Sequence, residues 1–83
     1  GKIFIDEGAY EAIINRGKSL LIAGITHCTG HFEAGDVVDV CYNDQVVGRG
    51  EIGYSFTELT NLINNTNKER SKVIIHRDAW VKL

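Results

Sequence analysis

The stretch from Val37 to Gly53 limits the folds open to this chain more than any other. Val37-Val38-Asp39-Val40-Cys41-Tyr42 alternates so that Val38, Val40 and Tyr42 share one face of a strand, the period-two pattern of a sheet with one side on a core. Asn43-Asp44 supplies turn chemistry, and Gln45-Val46-Val47 starts the return. Gly48, Gly50 and Gly53 punctuate that returning strand. Glycine inside a strand marks a bulge, a bend or a close backbone approach, as in a small curled barrel.

Around this hairpin the chain reads as short strands with an early and a late helix. Ile3-Phe4-Ile5 is a first strand. Asp6 is placed as the N-cap of a helix over 7–16, with Glu7 in the first turn, where the helix dipole favours an anion. Ala9, Ala12, Ile13 and Arg16 follow at helical spacing, and Gly17 stands where a left-handed residue ends a helix. Leu20-Leu21-Ile22 is an apolar run closed by Ala23-Gly24, Ile25 to Phe32 mixes strand formers with Gly30, and Glu33-Ala34-Gly35-Asp36 is a turn. Ser55-Phe56-Thr57-Glu58 is a capping box that opens a second helix. Its apolar stripe is Phe56, Leu59, Leu62 and Ile63, and Asn64-Asn65-Thr66-Asn67 ends it. Lys68 to Lys72 reads as a charged loop, Val73-Ile74-Ile75 as a buried strand and Trp80-Val81 as another short one. The 83 residues contain no proline, and no repeat or stiff linker divides them, so one domain over 1–83 is expected. The fold class is α+β but mainly β: a small barrel or pseudobarrel with helices at its ends or flank.

With 43% apolar and 24% charged residues, the chain carries enough apolar surface to offset the entropy of ordering. Nine basic and eleven acidic residues give a net charge of −2. Nucleic-acid binders draw much of their affinity from phosphate neutralisation, so this balance weighs against RNA as the main partner while leaving room for a local basic patch. The two cysteines, Cys28 and Cys41, are too few for a disulfide-stapled secreted domain and fit a reducing cytosol, where both act as small apolar residues. No signal-peptide pattern and no apolar run of membrane-spanning length occurs, so a cytoplasmic chain with no membrane partner is expected. Residue 1 is glycine, which leads us to expect a fragment of a longer protein.

Several short motifs fail on inspection. Gly17-Lys18-Ser19 has the ending of a phosphate-binding P-loop, but Ala12 stands where its first glycine belongs, and the motif closes a predicted helix instead of opening one. His76-Arg77-Asp78 resembles a protein-kinase catalytic loop, yet Leu83 occupies the position of the metal-binding Asn; Arg77 or Asp78 is expected to close a turn or a surface ion pair. His27, Cys28, His31 and Cys41 lack the pair spacings of a zinc site in a strand-and-loop segment. Asn64-Asn65-Thr66 matches a glycosylation pattern that only a secreted chain would use, and Asp36 with Asp39 is an ordinary pair of turn carboxylates. Arg16 and Lys18, with Lys2 nearby, form one candidate basic patch; Lys68, Arg70 and Lys72 form another, diluted by Glu69. Few aromatics are left for base stacking, since several belong to the core.

An ordered set of blocks gives a more specific signal. Gly17-Lys18-Ser19-Leu20-Leu21 with Ala23-Gly24-Ile25, then Phe32-Glu33-Ala34-Gly35-Asp36-Val37-Val38, Arg49-Gly50, Tyr54-Ser55, Glu58-Leu59 and Ile75-His76-Arg77-Asp78 with Val81 resemble the PUA domain of glutamate 5-kinases. The match runs from Ile3 to Val81. Gly35-Asp36 alone is common; the ordered whole is specific. Ile22 stands where that family usually has proline, Gly53 replaces a frequent Asn, and 64–72 is more polar than the usual connection. The resemblance implies a PUA-like pseudobarrel of short mixed strands with two short helices. It also implies a parent enzyme of proline biosynthesis that transfers the γ-phosphoryl of ATP to the side-chain carboxylate of L-glutamate. Mg-ATP would then be bound by an amino-acid kinase domain upstream in the same chain. Catalytic, cofactor and metal residues of the family lie in that domain, so none carries over here.

Three readings of function follow. The first is a non-catalytic accessory or regulatory module attached to the kinase. The second is an RNA-binding module: PUA domains of RNA-modifying enzymes bind structured RNA beside the first helix and the following loop, which here places Arg16, Gly17 and Lys18 at the phosphate backbone. The third is a self-association or docking surface giving a homo-oligomer, with Trp80 or Phe56 at its centre, although the apolar neighbours of both favour core packing.

Overall fold

The computed structural model describes residues 1–65 and 71–83. Strand β1 (Lys2–Ile5) lies parallel to β4 (Val37–Tyr42) on one side and antiparallel to β3 (Ile25–Thr29) on the other. β4 turns through Asn43-Asp44 into β5 (Gln45–Glu51), and β5 pairs with β7 (Trp80–Lys82), giving the mixed order β3-β1-β4-β5-β7. A separate antiparallel pair joins β2 (Leu20–Leu21) to β6 (Val73–Ile75). Bulges at Phe4/Ile5, Leu20/Leu21 and Val40/Cys41 shift the registers and add local twist. The mainly β fold with two short helices is as expected, but among the described residues the ladder does not close into a ring: β3 and β7 are the ends of the five-stranded sheet.

The alternation read from β4 holds as far as Val40, where the bulge buries the adjacent Cys41 as well. Val38 and Val40 are buried, and Tyr42 is half-buried, its ring stacked on Tyr10 at 4.4 Å between centroids. Ile3 and Ile5 of β1, Leu20 of β2, Ile74 and Ile75 of β6, Leu59 and Phe32 belong to the same apolar cluster as Val38 and Val40, each such side chain contributing roughly 1.5–3 kcal/mol. Phe56 meets Phe32 edge-on at 5.8 Å, and both Phe56 and Trp80 are half-buried and pack on this cluster. The glycines of β5 permit a close approach. A Cβ on Gly48 would lie 2.6 Å from the Val81 carbonyl oxygen and inside the Trp80 ring; one on Gly50 would lie 2.6 Å from Ile75 Cγ2.

Both predicted caps are present. The Ala9 N–H donates to Asp6 Oδ1 at 2.8 Å, starting α1 (Glu7–Tyr10). The single α-helix expected over 7–16 is corrected, however: only Glu7–Tyr10 is α-helical, and Glu11–Asn15 winds on as a π turn. Ile13 is buried, Ala9 packs against the core and Ala12 is half-buried, and a π stretch of five residues is too short for apolar spacing to mark it. In α2 (Phe56–Asn64) the Glu58 N–H donates to Ser55 Oγ at 3.2 Å and the Ser55 N–H donates to Glu58 Oε1 at 2.9 Å, a reciprocal capping box. Short 3-10 turns at Ile22–Gly24 and Arg77–Ala79 were not anticipated as helical. Thr66 of the glycosylation pattern, Asn67, and Lys68, Glu69 and Arg70 of the charged loop and second basic patch lie outside the described residues.

Candidate functional site

The polar side chains gather where the first helical segment runs into β2. The π turn ends at Arg16, and Gly17 follows with φ +63°, a left-handed conformation that glycine adopts without steric cost. The reversal is fixed when the Lys18 N–H donates to the Ala12 carbonyl at 3.0 Å. Lys18 and Ser19 then lead into β2, whose Leu20 is in register with Ile75 of β6. That pairing brings the next turn alongside: the Arg77 N–H donates to Ser19 Oγ at 2.9 Å. His76 caps its own turn, its Nδ1 accepting from the Asp78 N–H at 3.1 Å and its carbonyl from the Ala79 N–H at 2.8 Å. Asp78 Oδ2 lies 3.6 Å from the same Nδ1.

Two clefts flank Lys18 and Ser19. The larger, about 390 Å³, lies between the first helical segment and the chain from Lys18 to Gly24; Ala9, Ala12, Ile13 and Leu20 give it an apolar wall and Arg16 stands at its side. The smaller, about 350 Å³, is lined by Lys18, Ser19, Leu21, His76 and Arg77. Among the described residues, no acidic side chain comes within 4.0 Å of Arg16, Lys18 or Arg77. Arg49 on the sheet contrasts with them, its Nε 2.8 Å from Asp39 Oδ1.

Of the residues singled out for nucleic acid, Arg16 and Lys18 therefore share one cleft, and Gly17 shapes the turn between them. Lys2 is on β1 opposite Asp39 and lines neither cleft. His76 and Arg77 were not assigned to this site from the sequence; His76-Arg77-Asp78 forms the local turn expected of it, and only the β2–β6 pairing carries it to Ser19.

The other motif residues are occupied separately. His27 stacks on Phe4 at 4.2 Å, His31 Nε2 lies 3.3 Å from Glu33, Cys28 Sγ lies 3.8 Å from Thr60 Oγ1, and Cys41 is buried, which pushes its thiol pKa up. Among the described residues no three His, Cys, Asp or Glu side chains are placed to hold a metal. Asp36 Oδ2 accepts from the Glu33 N–H at 2.9 Å while Asp39 pairs with Arg49, so the two carboxylates serve a turn and a cross-strand contact. No helix among the described residues is long and apolar enough to cross a membrane.

The PUA domain model matches residues 1–75. Glutamate 5-kinase of Shouchella clausii is 43% identical over 98% of this chain and 24% of its own length; that of Oceanobacillus iheyensis is 42% identical over 98% of this chain and 23% of its own. The chain thus spans about a quarter of the length of these relatives. Among solved structures, a PUA domain protein of Aeropyrum pernix, crystallised as a tartrate complex, has a TM-score of 0.76 at 29% identity, covering 93% of this chain and 42% of that one. A chain of an archaeal box H/ACA sRNP complex has a TM-score of 0.66 at 27% identity, covering 94% of this chain and 25% of its own.

Proposed function

The chain belongs to the PUA domain family, and from that premise we propose that it is a non-catalytic accessory or regulatory module of a glutamate 5-kinase. The observation that carries this reading is the alignment of nearly the whole chain with a quarter of enzymes bearing that name. In that setting the parent converts ATP and L-glutamate to L-glutamyl 5-phosphate, the first step of proline biosynthesis, in the cytoplasm. Mg-ATP is then held by the amino-acid kinase domain in the remainder of the enzyme. Phosphoryl transfer is positioning and charge stabilisation around a metal-bridged triphosphate. Gly17-Lys18-Ser19 does not have the form of such a cradle: it ends a helical segment, and the Lys18 N–H is already given to Ala12. Truncating a full-length kinase just before the residue matching Gly1 tests the reading. Glutamate phosphorylation persists in the truncated enzyme if the module is accessory. Its loss from a truncated protein that still folds contradicts the reading.

A second reading, RNA binding through Arg16, Gly17 and Lys18, is favoured by one observation: these residues and Arg77 present cations without an acidic partner among the described residues. The fold is also that of a chain in an archaeal sRNP. A structured RNA hairpin titrated at two salt concentrations tests it. Three phosphate contacts give a log–log salt slope of about −2 to −3; binding that is absent or indifferent to salt removes this reading.

A further inference from the structure

We propose that the cleft between Ser19 and Arg77 is a binding site for a small free oxyanion, the carboxylate or phosphate group of a metabolite. Hydrogen-bond accounting at the cleft leads to this. Ser19 Oγ accepts from the Arg77 N–H, so its hydroxyl proton is left to donate elsewhere. His76 Nδ1 accepts from the Asp78 N–H, so the neutral ring carries its proton on Nε2 and that nitrogen is a donor as well. Lys18 and Arg77 can only donate. Among the described residues, every polar side chain lining the cleft therefore offers protons, and two carry full positive charge. Among the described residues no carboxylate lines it, and Asp78 sits at the Nδ1 side of the imidazole, 3.6 Å away. An acceptor-only, negatively charged group complements this set; charge-assisted bonds from guanidinium and ammonium are the strong ones.

Size and surroundings favour a free metabolite over a polymer. The cleft holds about 350 Å³, at the lower end of the range of small-molecule pockets. Leu21 supplies an apolar wall, and among the described residues no aromatic side chain lines the cleft to stack a base. The backbone N–H groups of Lys18 and Arg77 are already bonded within the chain, so these two residues are left to meet a ligand through their side chains. A net charge of −2 gives no long-range attraction for a polyanion. Such a site is independent of whether a kinase domain adjoins this one.

Inorganic phosphate titrated into the 15N-labelled chain at constant ionic strength tests the proposal. Saturable shifts centred on the amides of Lys18, Ser19, His76, Arg77 and Asp78 are expected. The double variant Lys18→Ala/Arg77→Ala weakens binding by about tenfold or more, while Arg49→Ala on the sheet leaves it unchanged. The same spectra report folding, and Lys18→Gln/Arg77→Gln replaces the alanine pair if that pair unfolds. Shifts that rise linearly without saturating overturn the proposal, as does saturable binding that survives the double variant. So does an RNA hairpin that perturbs these amides when phosphate does not, which transfers the cleft to the RNA reading.

Discussion

Gly48 sets the distance between β5 and β7. A methyl group there would press on the Val81 carbonyl oxygen at 2.6 Å and on the Trp80 ring, and backbone cannot yield as a flexible side chain would. Gly53 is different: the nearest atom to an added Cβ is the Ile74 carbonyl oxygen at 3.6 Å, an ordinary contact. Gly48→Ala is therefore expected to destabilise the chain by about 1–3 kcal/mol, and Gly53→Ala to stay within about 0.5 kcal/mol of the parent. Urea unfolding of the two variants checks this; equal midpoints would remove the packing explanation. The sequence showed glycines in a strand but not which of them a neighbour crowds, because the neighbour lies some thirty residues on, at 80–81. Ile22 makes the same point. Its side chain is fully buried and its N–H donates to the Lys72 carbonyl at 3.0 Å, a bond that the proline usual in the resembling family cannot make.

The capping box of α2 was legible because its signals lie within four consecutive residues, Ser55 to Glu58. It also makes a titration prediction. Hydrogen bonds from the Ser55 backbone N–H, and then from its side chain, hold the Glu58 carboxyl below its ordinary pKa. A carboxyl lowered by folding contributes stability above its unfolded pKa, and that contribution is lost as pH falls through the lowered value. Glu58→Gln should thus flatten part of the acid limb of a stability-against-pH curve and leave its shape near neutral pH unchanged. An acid limb identical to the parent's would contradict the assignment. The first helical segment was only partly legible. Asp6 and Gly17 marked its ends, but the one buried position of the π turn, Ile13, does not tell it from an α turn. No short-range pattern announced that β2 would pair with β6, and that pairing assembles the smaller cleft.

At the scale of the whole molecule, the hairpin, the flanking strands and the mainly β class followed from alternation and turn chemistry, whereas the open order β3-β1-β4-β5-β7 depends on pairings between distant segments. The candidate site divides in the same way. Arg16, Gly17 and Lys18 are neighbours in sequence and were read as a group, while His76 and Arg77 join them only through the fold. The described surface around the two clefts presents proton donors and positive charge, while the carboxylates of Asp6, Asp36, Asp39 and Glu58 serve caps, a turn and a cross-strand pair. The most direct test of this account is an assay of glutamate-dependent ATP turnover by the purified 83-residue chain with magnesium present. The account predicts a rate no different from that of buffer alone. Sustained release of ADP that requires glutamate, and that follows the chain through purification, would contradict it.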